Sequence, residues 1–335
     1  MSARILHAPR FTVDLRDPPS DRWRAVLGNA RMRRLARRLV AEARAWALSQ
    51  VPAWKRPLLK AFAYGLVRPF VAHRTHRTEY GAEMRAWTRC AGEDTPLANM
   101  SYELSGLFGG MCSSVAFWLA GKGMVHARNL DWPLYGIRKA TILVDFVNAP
   151  AGPFTAVTMP GFVGVLSGVA PGRFSITVNM PQANTPREHR RATGWSVAWL
   201  LRDVFEECRT YGSALRRLKA AATVYPCLVQ IAGCRKGEAA IVEVNPWSPN
   251  RHHPYARRPL AITNHYLDDE GYLGKEDEKD TGRRRAVITA RASAFRGKAV
   301  PDALSILSRP PVKADDTVQS MVFCAATGEV YLRRC

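Results

Sequence analysis

The sequence lacks the long apolar runs of a membrane-spanning protein. None of its 335 residues belongs to a stretch of roughly 18 consecutive apolar residues, the length that a spanning helix needs. The opening residues, MSARILHAPR, have no apolar core of a secretory signal. We therefore expect a cytoplasmic protein, free or peripheral to a membrane, without a transmembrane helix.

Cysteine is sparse, and its spacing excludes two common uses of it. The chain has seven cysteines, an odd number, and no two of them form a CxxC pair. Neither a disulfide framework nor a zinc site is expected from this pattern. Internal repeats and low-complexity tracts are missing as well. With 47% hydrophobic residues, the chain is expected to bury a large core in one main domain with an N-terminal partner segment.

Acidic residues are few relative to basic ones. The chain has 49 Lys and Arg against 28 Asp and Glu, which gives a net charge of +21. Such an excess indicates an anionic partner. Much of it is arginine in the first hundred residues, notably Arg31, Arg33, Arg34, Arg37, Arg38 and Arg44.

The N-terminal part is predicted to be helical from about Asp21 to Cys90. In residues 31–51, RMRRLARRLVAEARAWALSQV, apolar residues recur near helical spacing with arginines between them. A second segment of similar texture, PAWKRPLLKAFAYGLVRPFVAH, begins at Pro52. These helices are expected to pack on the domain that follows. A compatible alternative is an interfacial helix pair on anionic lipid, because basic and aromatic amphipathic helices suit that surface.

From Cys112 onward the sequence predicts short strands with turn residues between them, as in an antiparallel meander. A helical stretch from about Arg191 to Thr223 follows, then more strands, a helix from about Arg284 to Ala294 and a last hairpin. Runs of strands separated by runs of helices favour an α+β fold of stacked sheet and helix layers over a parallel βαβ sheet.

A candidate site lies on the first predicted hairpin. With its turn near residues 121–122, Cys112 falls opposite roughly residue 131, so Cys112, Arg128 and Asp131 should lie close together. Arg128 and Asp131 are three positions apart, and a regular strand would point them to opposite faces. A bulge or the strand end therefore has to reconcile them.

Such a cluster has a specific chemical use. An arginine near a cysteine favours the thiolate and lowers the thiol pKa. If the bond before Cys112 is cut, its free α-amine could act as general base for its own thiol, held by Asp131. The plainer interpretation is that Cys112 is a small buried hydrophobic residue and that Arg128 and Asp131 form a surface ion pair.

Several segments, in order along the chain, resemble those of a known family. MCSSVAF and HARNLDWP, which carry Cys112, Arg128 and Asp131, resemble the family of acid ceramidase and N-acylethanolamine acid amidase, related to choloylglycine hydrolases. Upstream, FTVDLRDPPSDRWRAVL and ANMSYELSG resemble its small subunit, and downstream the similar segments are GIRKATILVDF, GFVGVLSGVAPGRFSITV, ITNHYLDD and DTGRRRA. The resemblance implies a four-layer αββα N-terminal nucleophile hydrolase fold with antiparallel sheets. Residues 1–111 would be the N-terminal helical pro-segment or small subunit, and residues 112–335 the catalytic domain.

The resemblance also implies how the nucleophile arises. Self-cleavage of the Met111–Cys112 bond, by attack of the thiol on the Met111 carbonyl, would make Cys112 the N-terminal residue. Arg128 and Asp131 would order its amine and thiol. Catalysis would then pass through an acyl thioester without metal or organic cofactor. The small and large subunits are expected to stay associated after cleavage.

Further site residues come from the same resemblance. Asn264 would donate its side-chain amide to the oxyanion of the tetrahedral intermediate, and Asn179 is a second oxyanion candidate. An arginine of DTGRRRA would complete the site, with Arg284 preferred and Arg283 left open. The family's catalytic glutamate has no clear counterpart. Glu188 is the one glutamate in the shorter stretch NMPQANTPREHRRATGW, and it is left out of the predicted site.

The expected activity is hydrolysis of N-acylated lipids such as ceramides or N-acylethanolamines, at an anionic membrane. The alternatives are an acyltransferase, or a penicillin- or bile-salt-type amidase on the same scaffold. A non-enzymatic basic protein stays open on charge alone, but no nucleic-acid motif is present and no nucleic-acid partner is expected. The apolar residues that would line an acyl channel, or else belong to the core, are Trp118, Trp132, Tyr135, Phe162 and Leu166.

Overall fold

The fold is taken from a computed structural model of the whole chain. It describes residues 7–50, 52–55, 57, 79–96, 98–99, 101–102, 112–181, 194–246, 248–267, 280–333 and 335. Most of the second predicted N-terminal segment, together with Met111 and Glu188, lies outside the described residues.

Thirteen strands form two sheets in the described part of the chain. The larger sheet has eight strands in the order β1-β4-β5-β6-β7-β8-β9-β10, and the smaller has five in the order β11-β2-β3-β12-β13. All neighbouring strands are antiparallel except β1 and β4. The strands are β1 (Arg10–Asp14), β2 (Cys112–Leu119), β3 (Gly123–Asp131), β4 (Ile142–Val147), β5 (Phe154–Thr158), β6 (Ser167–Ala170), β7 (Phe174–Asn179), β8 (Cys227–Ala232), β9 (Ala239–Val244), β10 (Arg251–Pro254), β11 (Leu260–Ile262), β12 (Thr317–Cys324) and β13 (Glu329–Arg333).

Helices flank the two sheets. The α-helices are α1 (Arg24–Gly28), α2 (Ala30–Ser49), α3 (Glu79–Ala91), α4 (Ile137–Ala140), α5 (Val197–Glu207), α6 (Tyr211–Lys219) and α7 (Thr281–Ser293). Two short 3-10 helices span Ala53–Lys55 and Val300–Ser305. The helical stretch predicted from about Arg191 to Thr223 is thus two helices, because Thr210 starts a new one by capping it with Ser213.

The layers stack in the predicted αββα order. Between the sheets, Ala116 and Met124 of the smaller sheet pack with Ala232 and Ala239 of the larger one. On the outer side of the larger sheet, the Phe205 ring of α5 stacks on strand residues, and on the outer side of the smaller sheet α7 packs its apolar face. Since each sheet is covered on both faces, most of its strand residues are buried.

The N-terminal part joins this fold by more than helices. Helix α2 buries Met32, Ala36, Leu39, Val40 and Ala43, which recur at helical spacing, so the predicted packing on the domain is correct for this helix. The purely helical prediction missed β1, which pairs in parallel with β4 at the edge of the larger sheet.

The β2–β3 hairpin sets the position of the site. Its turn contains Gly121 and Gly123 with φ of 72° and 116°, which side chains with a Cβ rarely adopt. A Cβ on Gly123 would also lie 2.8 Å from that of Ala326. The resulting register pairs Cys112 with Leu130, one position from the predicted partner.

Candidate active site

Because side chains alternate between the two faces of the hairpin, different groups surround the sulfur and the main chain of Cys112. Cys112 and Arg128 point between the two sheets, whereas Ser113 and Asp131 point toward α7. Arg128 and Asp131 are therefore not reconciled onto one face, although β12 does carry an irregularity opposite the end of β3. The thiol meets Arg128 on one side, and the main chain of Cys112 is linked to Asp131 on the other.

The sulfur side is built around the Arg128 guanidinium, which is fully buried. Its Nη2 lies 3.7 Å from Cys112 Sγ and donates to Val178 O at 2.5 Å. Its Nη1 donates to Leu166 O at 2.8 Å and to the Ser167 hydroxyl. Main-chain carbonyls of the larger sheet thus hold the charge of Arg128 against the thiol.

Burial decides the protonation of this thiol. Cys112 is 2% exposed, and burial raises its pKa despite the opposing charge of Arg128. The expected lowering of the thiol pKa is therefore wrong for the uncleaved chain, because desolvation of the thiolate outweighs the nearby guanidinium. The thiol is the stable form until something changes the site.

The main-chain side is a chain of hydrogen bonds. Cys112 N donates to Asn264 Oδ1 at 2.7 Å, and Arg284 Nη1 donates to the same oxygen at 3.3 Å. Arg284 Nη2 donates to Ser113 Oγ at 2.7 Å and to Asp131 Oδ2 at 2.9 Å. Asn264 therefore binds the nitrogen that would become an α-amine after cleavage, and Arg284 holds Asn264 in place.

Asp131 is the buried counter-charge of this side. Burial raises the pKa of its carboxyl to about 7, against the opposing effects of Arg284 and the Thr317 hydroxyl. Thr317 donates to Asp131 Oδ1 at 2.6 Å from the neighbouring strand β12. Arg284 is 2% exposed, whereas Arg283 is exposed and pairs with Asp280 at 3.1 Å. Of the two candidate arginines, the structure thus brings the preferred Arg284 to the site and leaves Arg283 at the surface.

The two asparagines occupy adjoining positions with different bonds. Asn264 Nδ2 donates to Met180 O at 2.6 Å, so the second hydrogen on that nitrogen is the one an oxyanion could use. Asn179 Nδ2 donates to both Ile262 O and Thr263 O, at 3.2 and 2.9 Å. With both hydrogens engaged, Asn179 fixes the backbone just before Asn264, and its oxyanion role stays a prediction.

Residues outside the predicted set also contact the cluster. Tyr102 Oη lies 3.8 Å from Cys112 Sγ and accepts from Arg128 Nη2 at 3.0 Å. Tyr102 lies in ANMSYELSG, one of the segments that carried the resemblance, so a signal for it was present. Ser113 and Ser167 also lie in such segments, MCSSVAF and GFVGVLSGVAPGRFSITV, whereas Thr317 lies in none and only the strand register brings it to the site.

An apolar cleft lies beside the site. The Trp132 ring forms part of its wall and packs edge-on against Tyr102, with centroids 5.2 Å apart. Phe162 also lines the cleft, but Trp118 packs elsewhere between the sheets and Tyr135 is 51% exposed. The remaining wall comes from α2, the segment after α3, the residue Leu134 after β3 and the loop before Phe162, namely Leu39, Val40, Ala43, Ala98, Asn99, Leu134, Met159, Pro160 and Gly161.

The described residues contain neither a metal-binding cluster nor a membrane-spanning helix. No group of three or more His, Cys, Asp or Glu in those ranges is arranged to hold a metal ion. No helix within the described ranges is both long and apolar enough to cross a membrane.

No family model matches the chain, but it is similar to several amidases. It is 26% identical over 345 residues to the N-acylethanolamine-hydrolyzing acid amidase of Oryctolagus cuniculus, covering 97% of this chain and 89% of that protein. It is 25% identical to the acid ceramidase of Rattus norvegicus, covering 70% and 63%. The solved structure of the Caenorhabditis elegans N-acylethanolamine-hydrolyzing acid amidase ortholog matches with a TM-score of 0.54 and 25% identity, covering 64% of this chain and 93% of that one. The predicted resemblance and the N-terminal nucleophile hydrolase fold are confirmed.

Proposed function

We propose that the chain is a self-processing cysteine amidohydrolase that cleaves the amide bond of N-acylated lipids of the ceramide or N-acylethanolamine type. The coarser class, a hydrolase acting on amide bonds, is confirmed by the similarity to named amidases. The observation that carries the proposal is the double hold on Cys112, by Arg128 at its sulfur and by Asn264 at its nitrogen.

Maturation would use the same groups as catalysis. The Cys112 thiol attacks the carbonyl carbon of Met111, and the thiol proton passes to the departing nitrogen of Cys112. As that C–N bond breaks, Cys112 keeps a free α-amine and carries the Met111 acyl group on Sγ as a thioester, and water then hydrolyses the thioester to the Met111 carboxylate and the free thiol. Since Asn264 Oδ1 already accepts from this nitrogen, the new amine is held where the peptide nitrogen lay.

Turnover of an amide substrate follows the same pattern. The α-amine, with a reference pKa of about 7.7–8.0, takes the thiol proton as Sγ attacks the acyl carbonyl. The resulting α-ammonium returns the proton to the leaving amine, and an acyl thioester remains on Cys112. Water activated by the amine releases the acid. The second Nδ2 hydrogen of Asn264 is the donor we assign to the oxyanion.

The apolar cleft supports an acyl chain as part of the substrate. Trp132 in its wall packs on Tyr102, whose hydroxyl faces the thiol, so the cleft begins one ring away from the nucleophile. The names of the similar proteins state N-acylethanolamine and ceramide as what they act on. A lipid amide would bring its carbonyl to Cys112 and its chain toward this apolar lining.

A charged surface on α2 supports contact with anionic membrane. Helix α2 turns its apolar face to the domain and leaves arginines exposed on the other side. A basic cluster of this kind attracts acidic lipid headgroups at about 1 kcal/mol per charge near the surface. We define the basic cluster as Arg31, Arg34 and Arg38.

The test is intact-mass spectrometry of wild type, Cys112→Ala and Cys227→Ala after incubation across a range of pH. Cys227 is the matched control, because it is also buried and also begins a strand. Fragments that meet at Met111 and Cys112 are expected in wild type and Cys227→Ala only. A wild-type chain that stays whole, or cleavage in Cys112→Ala, would overturn self-processing by Cys112.

Substrate assays then test the lipid. Wild type is incubated with N-palmitoylethanolamine, with a ceramide, and with a penicillin or conjugated bile salt, and the released acid is measured by mass spectrometry. Release from the lipid amides supports the proposal, whereas release from the other two alone contradicts it. Added amine acceptors that capture the acyl group would instead indicate an acyltransferase.

A further inference from the structure

One side chain near the nucleophile comes from the other side of the proposed cleavage point. Tyr102 precedes Cys112 by ten residues, so cleavage after Met111 would leave the two on separate chains. Its ring is nonetheless 1% exposed and packed on Trp132 within the catalytic part. The first 111 residues thus place a polar atom directly at the thiol.

The contacts of the Tyr102 hydroxyl define what it can do. It donates its single proton to Val178 O at 2.5 Å and accepts from Arg128 Nη2 at 3.0 Å. Its oxygen lies 3.8 Å from Cys112 Sγ, within the longer hydrogen-bond range of sulfur. In the thiol form, the hydroxyl therefore fixes Arg128 beside the sulfur.

A change of partner is open to this hydroxyl when the thiol ionises. If the Tyr102 proton turns from Val178 O to the thiolate, Val178 O keeps a donor, because Arg128 Nη2 also bonds to it at 2.5 Å. No buried acceptor is then left without a hydrogen bond, so the turn avoids the desolvation penalty of an orphaned carbonyl. The thiolate gains the Tyr102 hydroxyl as a donor beside the charge of the Arg128 guanidinium, whose two Nη2 hydrogens are shared among Val178 O, the Tyr102 oxygen and Sγ.

We propose that Tyr102 is a positioning residue for the nucleophile: it fixes Arg128 against Cys112 and donates to the thiolate, so the active site is incomplete without residues 1–111. The part played by this thiolate in catalysis rests on the proposed function, but the contacts do not. The N-terminal part then acts as a permanent half of the active site after cleavage, and not as a pro-segment to be discarded.

The first test compares Tyr102→Phe with Tyr80→Phe in the full chain. Tyr80 is the matched control, because it is also a buried tyrosine of the N-terminal part, and its hydroxyl bonds to Glu206 at 3.0 Å. The probe is iodoacetamide, and the rate of modification at Cys112 is followed against pH by peptide mass spectrometry. This readout reports the thiolate fraction and needs neither cleavage nor turnover.

Tyr102→Phe removes one hydrogen bond to the thiolate. At pH values below the midpoint, the modification rate of Cys112 should therefore be about tenfold lower than in wild type. The midpoint should move upward, with no such change in Tyr80→Phe. Equal profiles for Tyr102→Phe and wild type, or equal shifts in both variants, would overturn the proposal. Wild type that neither cleaves nor hydrolyses amides would refute the proposed function, while the modification profile still decides the role of Tyr102.

A second variant separates hydrogen bonding from packing. Replacing Tyr102 by 3-fluorotyrosine keeps the ring and makes the hydroxyl a stronger donor, so the midpoint should move downward, opposite to Tyr102→Phe. A residue with only a packing role would shift the midpoint in the same direction in both variants. Where turnover of an N-lauroyl aminocoumarin amide is measurable, Tyr102→Phe should lower kcat by about tenfold and leave KM nearly unchanged.

Discussion

Replacing Glu83 by alanine is expected to lower the free energy of unfolding by about 4 kcal/mol. Glu83 on α3 is fully buried and accepts hydrogen bonds from Nη1 and Nη2 of Arg202 on α5, at 2.5 and 2.7 Å. Trp23 Nε1 also donates to it at 2.6 Å. Removing one partner of a buried ion pair costs about 3–5 kcal/mol, because the other charge is left without compensation.

Two opposing corrections keep the value near the middle of this range. Arg202 retains Glu206 at 2.7 Å, which reduces the loss. Trp23 loses the acceptor of its buried N–H, which adds about 1–3 kcal/mol. Since α3 belongs to the predicted small subunit and α5 to the catalytic domain, the same substitution should weaken the association of the two parts after cleavage.

The assay is urea unfolding of the full chain followed by tryptophan fluorescence, with size-exclusion chromatography of the cleaved protein. Arg10→Gln is the control, because the ion pair of Arg10 with Asp145 also joins the N-terminal part to the larger sheet but is 57% exposed at the arginine. An exposed pair contributes about 0–1 kcal/mol. If Glu83→Ala loses no more stability than Arg10→Gln, the buried network does not hold the two parts together.

Three further predictions follow from the site and the surface. Arg284→Met should lower the free energy of unfolding by about 3–5 kcal/mol and slow cleavage, since Asp131 loses its buried counter-charge. The exposed control Arg283→Met should change the free energy of unfolding by no more than about 0.5 kcal/mol. Urea unfolding measures the stability of each variant, and intact-mass spectrometry measures its cleavage. In the uncleaved chain, iodoacetamide should modify Cys112 with a midpoint above the usual range of a free thiol, because burial raises the thiol pKa. Cleavage should lower the midpoint by adding an α-ammonium, and an unchanged midpoint after cleavage would contradict this. Glutamine at all three positions of the basic cluster should weaken sedimentation with phosphatidylserine vesicles and leave hydrolysis of a water-dispersed amide unchanged; loss of both would place the cluster in the chemistry.

Local patterns predicted the hairpin, and the resemblance predicted most of what it carries. Turn residues between two apolar runs placed Cys112, Arg128 and Asp131 together, to within one position of the observed register. Strand alternation also gives the opposite faces of Arg128 and Asp131, but the expectation that a bulge or the strand end would reconcile them was wrong. The sequence did not predict that Arg128 would contact the sulfur of Cys112 while Asp131 is linked, through Arg284 and Asn264, to its nitrogen.

The features that the sequence did not predict depend on contacts between residues far apart along the chain. Strand β1 has only five residues and pairs with β4 more than a hundred positions later, so no local period reveals it. The choice of Arg284 over Arg283 depends on the rotation of α7, which only packing against β2 determines. Tyr102 reaches the thiol across a predicted chain break, and a search confined to the catalytic part would have missed it.

The groups around the Cys112 thiol explain why activity would require cleavage. Among the described residues, the groups within hydrogen-bonding distance of Cys112 Sγ are Tyr102 Oη, Arg128 Nη2 and the carbonyl of Asp131. A guanidinium has no acceptor, burial raises the pKa of Tyr102 further above its usual range, and a peptide carbonyl is a very weak base. None of these can remove the proton of a thiol whose own pKa is raised by burial. An α-amine on Cys112 itself would supply the missing base without exposing the site. The catalytic part can therefore be produced with Cys112 as its free N-terminus, without Met111, and combined with a separately expressed N-terminal part. This two-chain protein should be active without any processing step.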